Sequence, residues 1–277
     1  MRKLVAGVAV SMMLAGEAGA AEKAVIETKP AQSFGALVAT QGKMRPLPQT
    51  PVTFGTVETR WRSASRAEYV KYMNPSSFKK GSNEYYQFLD LARPAGVDVK
   101  ALSSLLKGHG VFARKGNKSG AAFKKAAEKE KINEVYLVSH ALLETGYGRS
   151  KLAKGIRVSR VGGKYVPPRV VYNMFGIGAL DHDPYRLGAE RAYKEKWFTP
   201  EAAIIGGAKY VGRAYIHHPV HRQNTLYEMR WDPEERGEFP HQYATDIGWA
   251  VKQARRIGEL YAKLDVETVR FEVPKFR

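Results

Sequence analysis

Apolar residues recur at helical spacing along most of the chain after residue 60. Between residues 119 and 131, Phe123, Ala126 and Ala127 fall on one side of a helix, and lysines fall on the other. Positions three or four residues apart share a helical face, so this spacing predicts an amphipathic helix. Comparable patterns predict further helices over Arg66–Met73, Ser82–Leu91, Asp98–Leu106, Tyr185–Lys196, Thr199–Tyr215 and Tyr243–Leu264.

A further apolar helix ends in a carboxylate. Asn133 is a suitable N-cap, the run from Val135 to Leu143 is mostly apolar, and Glu144 follows it directly. The next residues include Gly146, and glycine favours a helix end followed by a loop. The pattern places one acid where a helix meets a loop. A surface glutamate that ends an amphipathic helix would give the same pattern.

Three features suit Glu144 to the role of a proton donor. The C-terminal end of a helix disfavours negative charge, and Leu142, Leu143 and Tyr147 offer an apolar wall. In addition, no Lys or Arg lies one turn before it in its own helix. Glycoside cleavage needs a carboxylic acid that stays protonated near neutral pH. His140 lies one turn before Glu144, so we expect it to bond to the acid, to contact sugar, or to pack inside the fold.

One segment departs from the helical pattern. The runs Ile156–Val161 and Lys164–Val166 are joined by two glycines, which predicts a β-hairpin. Pro167 and Pro168 are expected to limit its length. Helices with one small hairpin indicate a mainly α fold of the α+β class.

The N-terminus is typical of a secretory signal. Arg2 and Lys3 precede the apolar run from Leu4 to Gly16, and small residues lead to an expected cleavage after Ala20. An uncleaved membrane anchor is the alternative. The predicted organisation is a signal peptide over 1–20, a flexible proline-containing linker over 21–59, a catalytic domain over 60–265 and a C-terminal tail over 266–277.

The formal charge is +18, with 45 Lys and Arg against 27 Asp and Glu. Residues 60–131 alone hold sixteen basic and six acidic residues. Such a protein should concentrate near polyanions, which outside a cell include anionic wall polymers, although a solvated basic surface is the simpler alternative. The predicted export of the protein argues against nucleic acid as the partner of this basic surface. The absence of cysteine excludes disulfides and a thiolate nucleophile.

Histidines are dense at His217, His218 and His221, but their spacing is not that of a known zinc site, so we expect no metal or cofactor. Aromatic residues are dense between residues 210 and 249, where they can stack on sugars or build a core. Tyr243 and Asp246 are three residues apart at the start of the predicted last helix. Asp246 could also simply complement the dipole of that helix.

Seven blocks of the sequence, in order, resemble the peptidoglycan N-acetylglucosaminidases of Gram-positive autolysins, which form glycoside hydrolase family 73. Together the blocks cover about residues 60–262, and the resemblance does not extend to residues 21–59. The blocks are Tyr86–Leu91, Leu105–Gly110, Glu134–Gly146, Asn173–Gly178, Ala203–Lys209, Gln223–Trp231 and His241–Trp249.

The resemblance implies a lysozyme-like, two-lobed helical fold with a glycan cleft. It also implies hydrolysis of the β-1,4 bond on the reducing side of N-acetylglucosamine. Together with the predicted signal peptide, this leads us to expect a secreted, wall-associated enzyme, and we expect a monomer. Glu144 matches the family's catalytic acid, Tyr243 matches a tyrosine placed opposite it, and Asp246 is a neighbour in that wall. Tyr243 and Asp246 are therefore the candidate catalytic partners. The expected substrate-binding residues are His140, Tyr147, Asn173, Phe175, Tyr215, Gln223, Trp231 and Gln242.

The second catalytic group stays open at this stage. Two carboxylates are usual in glycosidases, yet only one acid stands out here. The acetamido oxygen of the substrate could attack the anomeric carbon, with Tyr243 or Asp246 stabilising positive charge. Alternatively, Asp246 could act as the base of an inverting reaction. A lytic transglycosylase, a muramidase and a non-catalytic wall-binding protein are the competing functions.

Overall fold

The computed structural model describes residues 22–44, 52–54, 61–116, 118–180, 182–234 and 240–277. The predicted signal peptide lies outside these residues, as does residue 60, where the catalytic domain was expected to begin. Within the described part of the chain, no helix has both the length and the apolar character needed to cross a membrane.

The chain is mainly helical, with short strands near both ends and in the middle. The α-helices of the described residues are α1 (Phe34–Lys43), α2 (Arg66–Met73), α3 (Val99–Leu105), α4 (Ser119–Glu130), α5 (Glu134–Glu144), α6 (Lys151–Lys154), α7 (Pro184–Lys194), α8 (Pro200–Val211), α9 (Leu226–Trp231) and α10 (Trp249–Tyr261). A π-helical turn, Gly212–Ile216, continues α8. Shorter 3-10 turns cover Pro75–Ser77, Asn83–Phe88 and Gly110–Ala113.

The strands of the described residues form three two-stranded sheets. The six strands of the described residues are β1 (Glu22–Thr28), β2 (Val52–Phe54), β3 (Trp61–Ser63), β4 (Ile156–Val161), β5 (Lys164–Val171) and β6 (Thr268–Pro274). β1 pairs with β6 in parallel, whereas β2 pairs with β3 and β4 with β5 in antiparallel fashion.

The chain divides into two compact units. The first comprises residues 1–90, 217–259 and 265–277, and the second comprises residues 91–216 and 260–264. Glu144 belongs to the second unit, and Tyr243 and Asp246 belong to the first.

The predicted helices with clear caps are confirmed. Asp98 caps α3, Asn133 caps α5 and Thr199 caps α8, each through a side-chain oxygen that accepts a backbone amide. The apolar face predicted for α4 is buried against α3, α5 and α8 in the second unit, with Phe123 and Ala127 fully covered. Burial of a side chain as large as Phe123 contributes about 1.5–3 kcal/mol.

The expectation of a flexible linker over residues 21–59 and of a separate C-terminal tail over residues 266–277 is wrong. Residues 22–28 form β1, residues 34–43 form α1, and β1 pairs in parallel with β6, which lies within the expected tail. The first unit buries Ile26, Val269 and Phe271 beside this pairing, so hydrophobic burial holds the two ends of the described chain together.

Three predicted elements have different bounds. The helix expected over Ser82–Leu91 is a 3-10 turn, because the chain leaves it to pair with β6 through the amide of Asp90. β5 continues through Pro167 and Pro168, since a strand with a free edge tolerates proline. The last helix begins at Trp249 rather than Tyr243, whose amide already donates to a carbonyl of α9.

Candidate active site

Glu144 is the last residue of α5, and the local sequence explains where this helix begins. The Asn133 side chain accepts a hydrogen bond of 3.0 Å from the Tyr136 amide, which satisfies one free amide of the first turn. The Glu134 carboxylate accepts two further bonds of 2.7 Å from backbone amides within residues 95–97. The start of the helix is therefore held by its own cap and by a neighbouring segment.

A left-handed turn ends α5 directly after Glu144. Gly146, Tyr147 and Gly148 have φ values of 53°, 59° and 73°. The Gly148 amide donates to Thr145 Oγ1 at 2.8 Å. A Cβ at Gly148 would lie 2.9 Å from the His109 carbonyl oxygen, so glycine is needed both for the conformation and for the close approach. The turn leaves Glu144 at the exposed end of a buried helix.

The Glu144 carboxylate is connected to a buried pair of side chains on its own helix. Its Oε1 lies 3.4 Å from His140 Nε2, and the two side chains are 28% and 0% exposed. His140 Nδ1 lies 3.0 Å from the Tyr136 hydroxyl. The three residues are spaced four apart, so they share one face of α5. A chain of polar contacts thus runs from the interior to the partly exposed acid.

This chain of contacts suits either protonation state of Glu144. Burial raises the pKa of Tyr136 well above its usual value, and the charges of Glu144 and Tyr215 act in the same direction, so the hydroxyl keeps its proton. Beside an ionised Glu144, neutral His140 presents Nε2–H to the acid and its Nδ1 accepts from Tyr136. Beside a protonated Glu144, the imidazole tautomer reverses and the tyrosine oxygen accepts.

Asn173 organises the segment that follows β5. Its amide nitrogen donates to the carbonyls of Ile177 at 2.9 Å and Gly188 at 3.3 Å. Its oxygen accepts from the amides of Phe175 at 3.3 Å and Ile177 at 3.2 Å. With the side chain only 1% exposed, these bonds replace water and fix the loop.

The same loop fits closely around the acid. The Phe175 ring packs edge-on against His140, with ring centroids 5.4 Å apart. Gly176 has a φ of 64°, and a Cβ there would lie 3.3 Å from Glu144 Oε2. A side chain at position 176 would therefore crowd the carboxylate and strain the backbone.

Three side chains of the second unit that were predicted to bind sugar are buried. His140, Asn173 and Phe175 are 0%, 1% and 2% exposed, so they orient the acid and its loop instead of contacting glycan directly. Tyr147 and Tyr215 are half-buried, so they stay candidates for contact with glycan. Burial raises the pKa of Tyr215 to about 12, so this hydroxyl also stays protonated.

Tyr243 and Asp246 lie in the first unit, in an irregular segment before α10. The Tyr243 ring stacks on Trp249, with centroids 4.7 Å apart and planes at 21°. Asp246 Oδ2 lies 2.6 Å from Lys252 Nζ, and its Oδ1 accepts a 3.0 Å bond from the Gly248 amide. Because Asp246 precedes the helix, the expectation that it shares a helical face with Tyr243 is wrong.

Arg230 fixes this segment from the end of α9. Its guanidinium donates to the carbonyls of Thr245 at 2.7 Å and Asp246 at 2.8 Å. It also lies 3.9 Å from the centroid of the Trp231 ring. Burial lowers the pKa of Arg230 to about 9, while Asp246 opposes that shift. Trp231 is 0% exposed, so its predicted contact with substrate is also wrong and it belongs to the core.

The predicted contact of Gln223 with substrate is also wrong, whereas Gln242 stays a candidate substrate-binding residue. Gln223 is 1% exposed and donates to the carbonyls of Glu228 at 2.9 Å and His241 at 2.5 Å. Gln242 is half-buried, and among the described residues its side-chain amide has no hydrogen-bond partner. An unpaired amide is costly unless a ligand or water satisfies it.

Three histidines of the first unit form a cluster in which the rings of His221 and His241 are stacked. The ring centroids of His221 and His241 are 4.3 Å apart, and His218 lies 4.9 Å and 5.3 Å from them. Burial, followed by the charges of His221 and His218, lowers the pKa of His241 to about 4. Asp232 Oδ2 lies 3.5 Å from His221 Nδ1. No group of three or more His, Cys, Asp or Glu in the described part of the chain is arranged to hold a metal ion.

Sequence reasoning missed three residues of these sites. Tyr136 could have been found, because it precedes His140 by the same four residues that separate His140 from Glu144. Lys252 follows Asp246 by six residues, a spacing that signals no contact. Arg230 contacts residues fifteen and sixteen positions away, which no local pattern indicates.

A family model described as Glucosaminidase, "Mannosyl-glycoprotein endo-beta-N-acetylglucosaminidase", matches residues 120–262. The Beta-N-acetylglucosaminidase of Bacillus subtilis is 48% identical over 218 residues, which are 78% of this chain and 23% of that protein. The chain thus spans about a quarter of the length of this curated relative.

Solved structures are similar over most of the chain. A crystal structure of a Major Bifunctional Autolysin matches with a TM-score of 0.68 and 35% identity, over 91% of this chain and 98% of that one. S. aureus Autolysin E matches with a TM-score of 0.65 and 33% identity, over 88% of this chain and 97% of that one, in a complex with the muropeptide NAM-L-Ala-D-iGlu. A catalytic glutamate-to-alanine mutant of the same protein, in complex with the disaccharide NAG-NAM, matches with a TM-score of 0.64.

Proposed function

Because this chain belongs to the glucosaminidase family, we propose that it is a peptidoglycan hydrolase that cleaves the β-1,4 bond on the reducing side of N-acetylglucosamine. The observation that carries the proposal is the position of Glu144. It is a partly exposed acid at the end of a buried helix, and its contact with His140 leads inward to Tyr136. The disaccharide held by the catalytic mutant of Autolysin E supports the same substrate class.

Glu144 acts as the general acid. Its carboxyl proton passes to the glycosidic oxygen as the bond to the anomeric carbon breaks. The contact with His140 holds the carboxyl group in one orientation, and the loop at Gly176 restricts the space around Oε2. Proton transfer by a positioned group of this kind contributes about 10²–10⁴-fold to the rate.

The acetamido oxygen of the substrate is the proposed nucleophile. It attacks the anomeric carbon as the leaving group departs, and water then opens the cyclic intermediate. Asp246 and Tyr243 are proposed to stabilise the positive charge that develops. Two bonds fix the Asp246 carboxylate, one from the Lys252 ammonium and one from the Gly248 amide, which favours a stationary charge over a mobile base.

The proposed setting is the cell wall. The predicted signal peptide over residues 1–20 supports export of the enzyme, with an uncleaved membrane anchor as the alternative. We propose a monomer without cofactor or nucleic-acid partner. The excess of ten positive charges in residues 60–131 supports attraction to anionic wall polymers, and added salt should then weaken action on intact walls.

The test compares wild type with Glu144→Gln on purified peptidoglycan. Glutamine keeps the size and polarity of the side chain but has no acidic proton. Hydrolysis should fall about 10²–10⁴-fold, while binding to insoluble peptidoglycan should stay within about twofold. Near-full activity of Glu144→Gln would overturn the assignment of the acid. A wild type that binds and never hydrolyses would instead identify a wall-binding protein.

A further inference from the structure

The hairpin of β4 and β5 concentrates unpaired positive charge. Residues 145–180 contain seven Lys or Arg and no Asp or Glu. Four of the seven, Arg157, Arg160, Lys164 and Arg169, belong to the two strands, and all four are exposed. None of the seven forms an ion pair with an acid among the described residues. By contrast, Arg186 on the neighbouring α7 lies 2.6 Å from an aspartate and 3.1 Å from a glutamate.

The hairpin is exposed yet firmly held. Val158 and Val171 are its only buried positions, whereas Tyr165 is 79% exposed and Val170 is 40% exposed. An isolated two-stranded hairpin is marginally stable in water. Here α7 supports it from outside, because Glu190 accepts a 3.0 Å bond from the amide of Gly162 and another α7 side chain donates to the Pro167 carbonyl. Its charges are therefore presented on a fixed frame.

Both ends of the hairpin lead directly to the proposed acid. The chain passes from Glu144 through the left-handed turn and the short α6 into β4. It returns from β5 into the Asn173 loop, where Gly176 closely approaches Glu144. Acid, hairpin and loop thus belong to one unit and one continuous stretch of sequence. A glycan whose scissile bond is at Glu144 brings its attached groups close to the base of this hairpin.

We infer that the β4–β5 hairpin binds the carboxylates of the peptide stems carried by the substrate glycan, an inference that rests on the proposed function. Peptidoglycan stems are short peptides with free carboxylates, and the muropeptide bound to Autolysin E ends in D-iGlu. A three-residue stem extends about 10 Å, and β4 is about 20 Å long. Several cations on the hairpin therefore lie within the range of a stem.

The exposed apolar side chains favour a peptide over a phosphate polymer. Arg160 stacks on the ring of Tyr165 and Arg169 lies 5.8 Å from that of Phe198, so cations alternate with apolar surface. A peptide stem offers carboxylates and aliphatic side chains together, whereas a phosphate polymer offers no comparable apolar contact. Stems also accompany the sugar at the acid, which an independent polymer need not do.

The test uses a variant with all four hairpin cations changed to glutamine, R157Q/R160Q/K164Q/R169Q. Its control, K23Q/K29Q/K43Q/K263Q, removes the same charge from exposed lysines that lie outside residues 60–131 and 145–180. Substrates are soluble glycan strands with stems and the same strands after enzymatic removal of the stems. The hairpin variant should raise KM about 5–20-fold on strands with stems, with kcat retained, and the control should stay within about twofold of wild type.

Binding to the same two strands, measured in the Glu144→Gln background, separates this inference from the proposed function. Without the hairpin cations, the affinity for strands with stems should fall to that for bare strands. Equal affinity of the Glu144→Gln protein for both strands, with the hairpin intact, would overturn the inference even if the enzyme is active. A loss confined to walls that retain anionic polymer would also overturn it. If the fourfold variant melts early, R157Q/K164Q repeats the test with two exposed side chains.

Discussion

Glu144 ends a regular helix, whereas Tyr243 and Asp246 lie in an irregular segment that precedes one. His140 of the same helix contacts Glu144, and Tyr136 in turn contacts His140. The contacts of Asp246 come from Lys252 and from the amide of Gly248, and its carbonyl accepts a bond from α9. The first group is a carboxylate beside an imidazole, and the second is a carboxylate held by an ammonium group.

This difference assigns different chemistry to the two carboxylates. A proton donor is not helped by a neighbouring ammonium, which attracts the charged form of a carboxylate. A group that stabilises positive charge needs a fixed position and a permanent negative charge. The two segments, each taken by itself, therefore favour Glu144 as the acid and Asp246 as an electrostatic group.

The largest expected effect among the tests of this comparison is that of Asp246→Asn. The amide keeps the shape and can still accept from Gly248, but the negative charge is lost, so kcat should fall about 10²–10³-fold with little change in KM. Lys252→Met is the control, since it removes the ion pair and keeps the carboxylate. Its kcat should fall less than about tenfold. Equal losses in both variants would show that the ion pair, rather than the charge of Asp246, matters.

A smaller effect is expected for Tyr136→Phe. Loss of the hydroxyl removes its 3.0 Å contact with His140 Nδ1, so the imidazole holds Glu144 less firmly in one orientation. We expect kcat to fall about tenfold with KM retained. Tyr227→Phe is a matched control, because that buried hydroxyl donates to the Met73 carbonyl at 2.6 Å in the other unit. Both variants should lose about 1–2 kcal/mol of stability. A normal kcat in Tyr136→Phe would contradict a positioning role.

The smallest expected effect is a change in how stability depends on pH, and it arises from His241 in the segment before Tyr243. His241 has a pKa of about 4 in the folded protein against 6.5 ordinarily. Below pH 6.5 the unfolded chain binds a proton first, so the free energy of unfolding should decline until about pH 4, by at most about 1.4 kcal/mol per pH unit. His241→Asn should reduce this slope in urea unfolding between pH 7 and pH 4.5. The same change at exposed His182 should not, and an unchanged slope in His241→Asn would contradict the account.

The part of the site that could be predicted from sequence is the part built from local contacts. The cap at Asn133, the apolar run and the glycine turn together predict where α5 begins and ends. Each signal acts within about four residues, which is the range over which helical contacts form. The sequence therefore predicts the position of Glu144 at the end of α5, where the structure has it.

The rest depends on contacts between distant residues. The sequence predicts a linker where the structure has β1. This strand pairs with β6, which lies at the other end of the chain, and no local pattern indicates such a partner. β6 does alternate, with Val269, Phe271 and Val273 separated by polar residues, and this pattern predicts a strand but not the strand with which it pairs. The burial of polar side chains also depends on contacts between distant residues. Asn173 and Gln223 belong to family blocks and are polar, which suggested contact with sugar, yet their amides satisfy backbone groups inside loops.

The most direct measurement is mass spectrometry of the products released from purified peptidoglycan by wild type, with Glu144→Gln as the blank. Reduction of the new ends before analysis identifies the sugar on which the cut was made. The account predicts N-acetylglucosamine at the new reducing end, released by wild type and nearly absent with Glu144→Gln. A reducing or 1,6-anhydro N-acetylmuramic acid end would contradict it and identify a muramidase or a lytic transglycosylase.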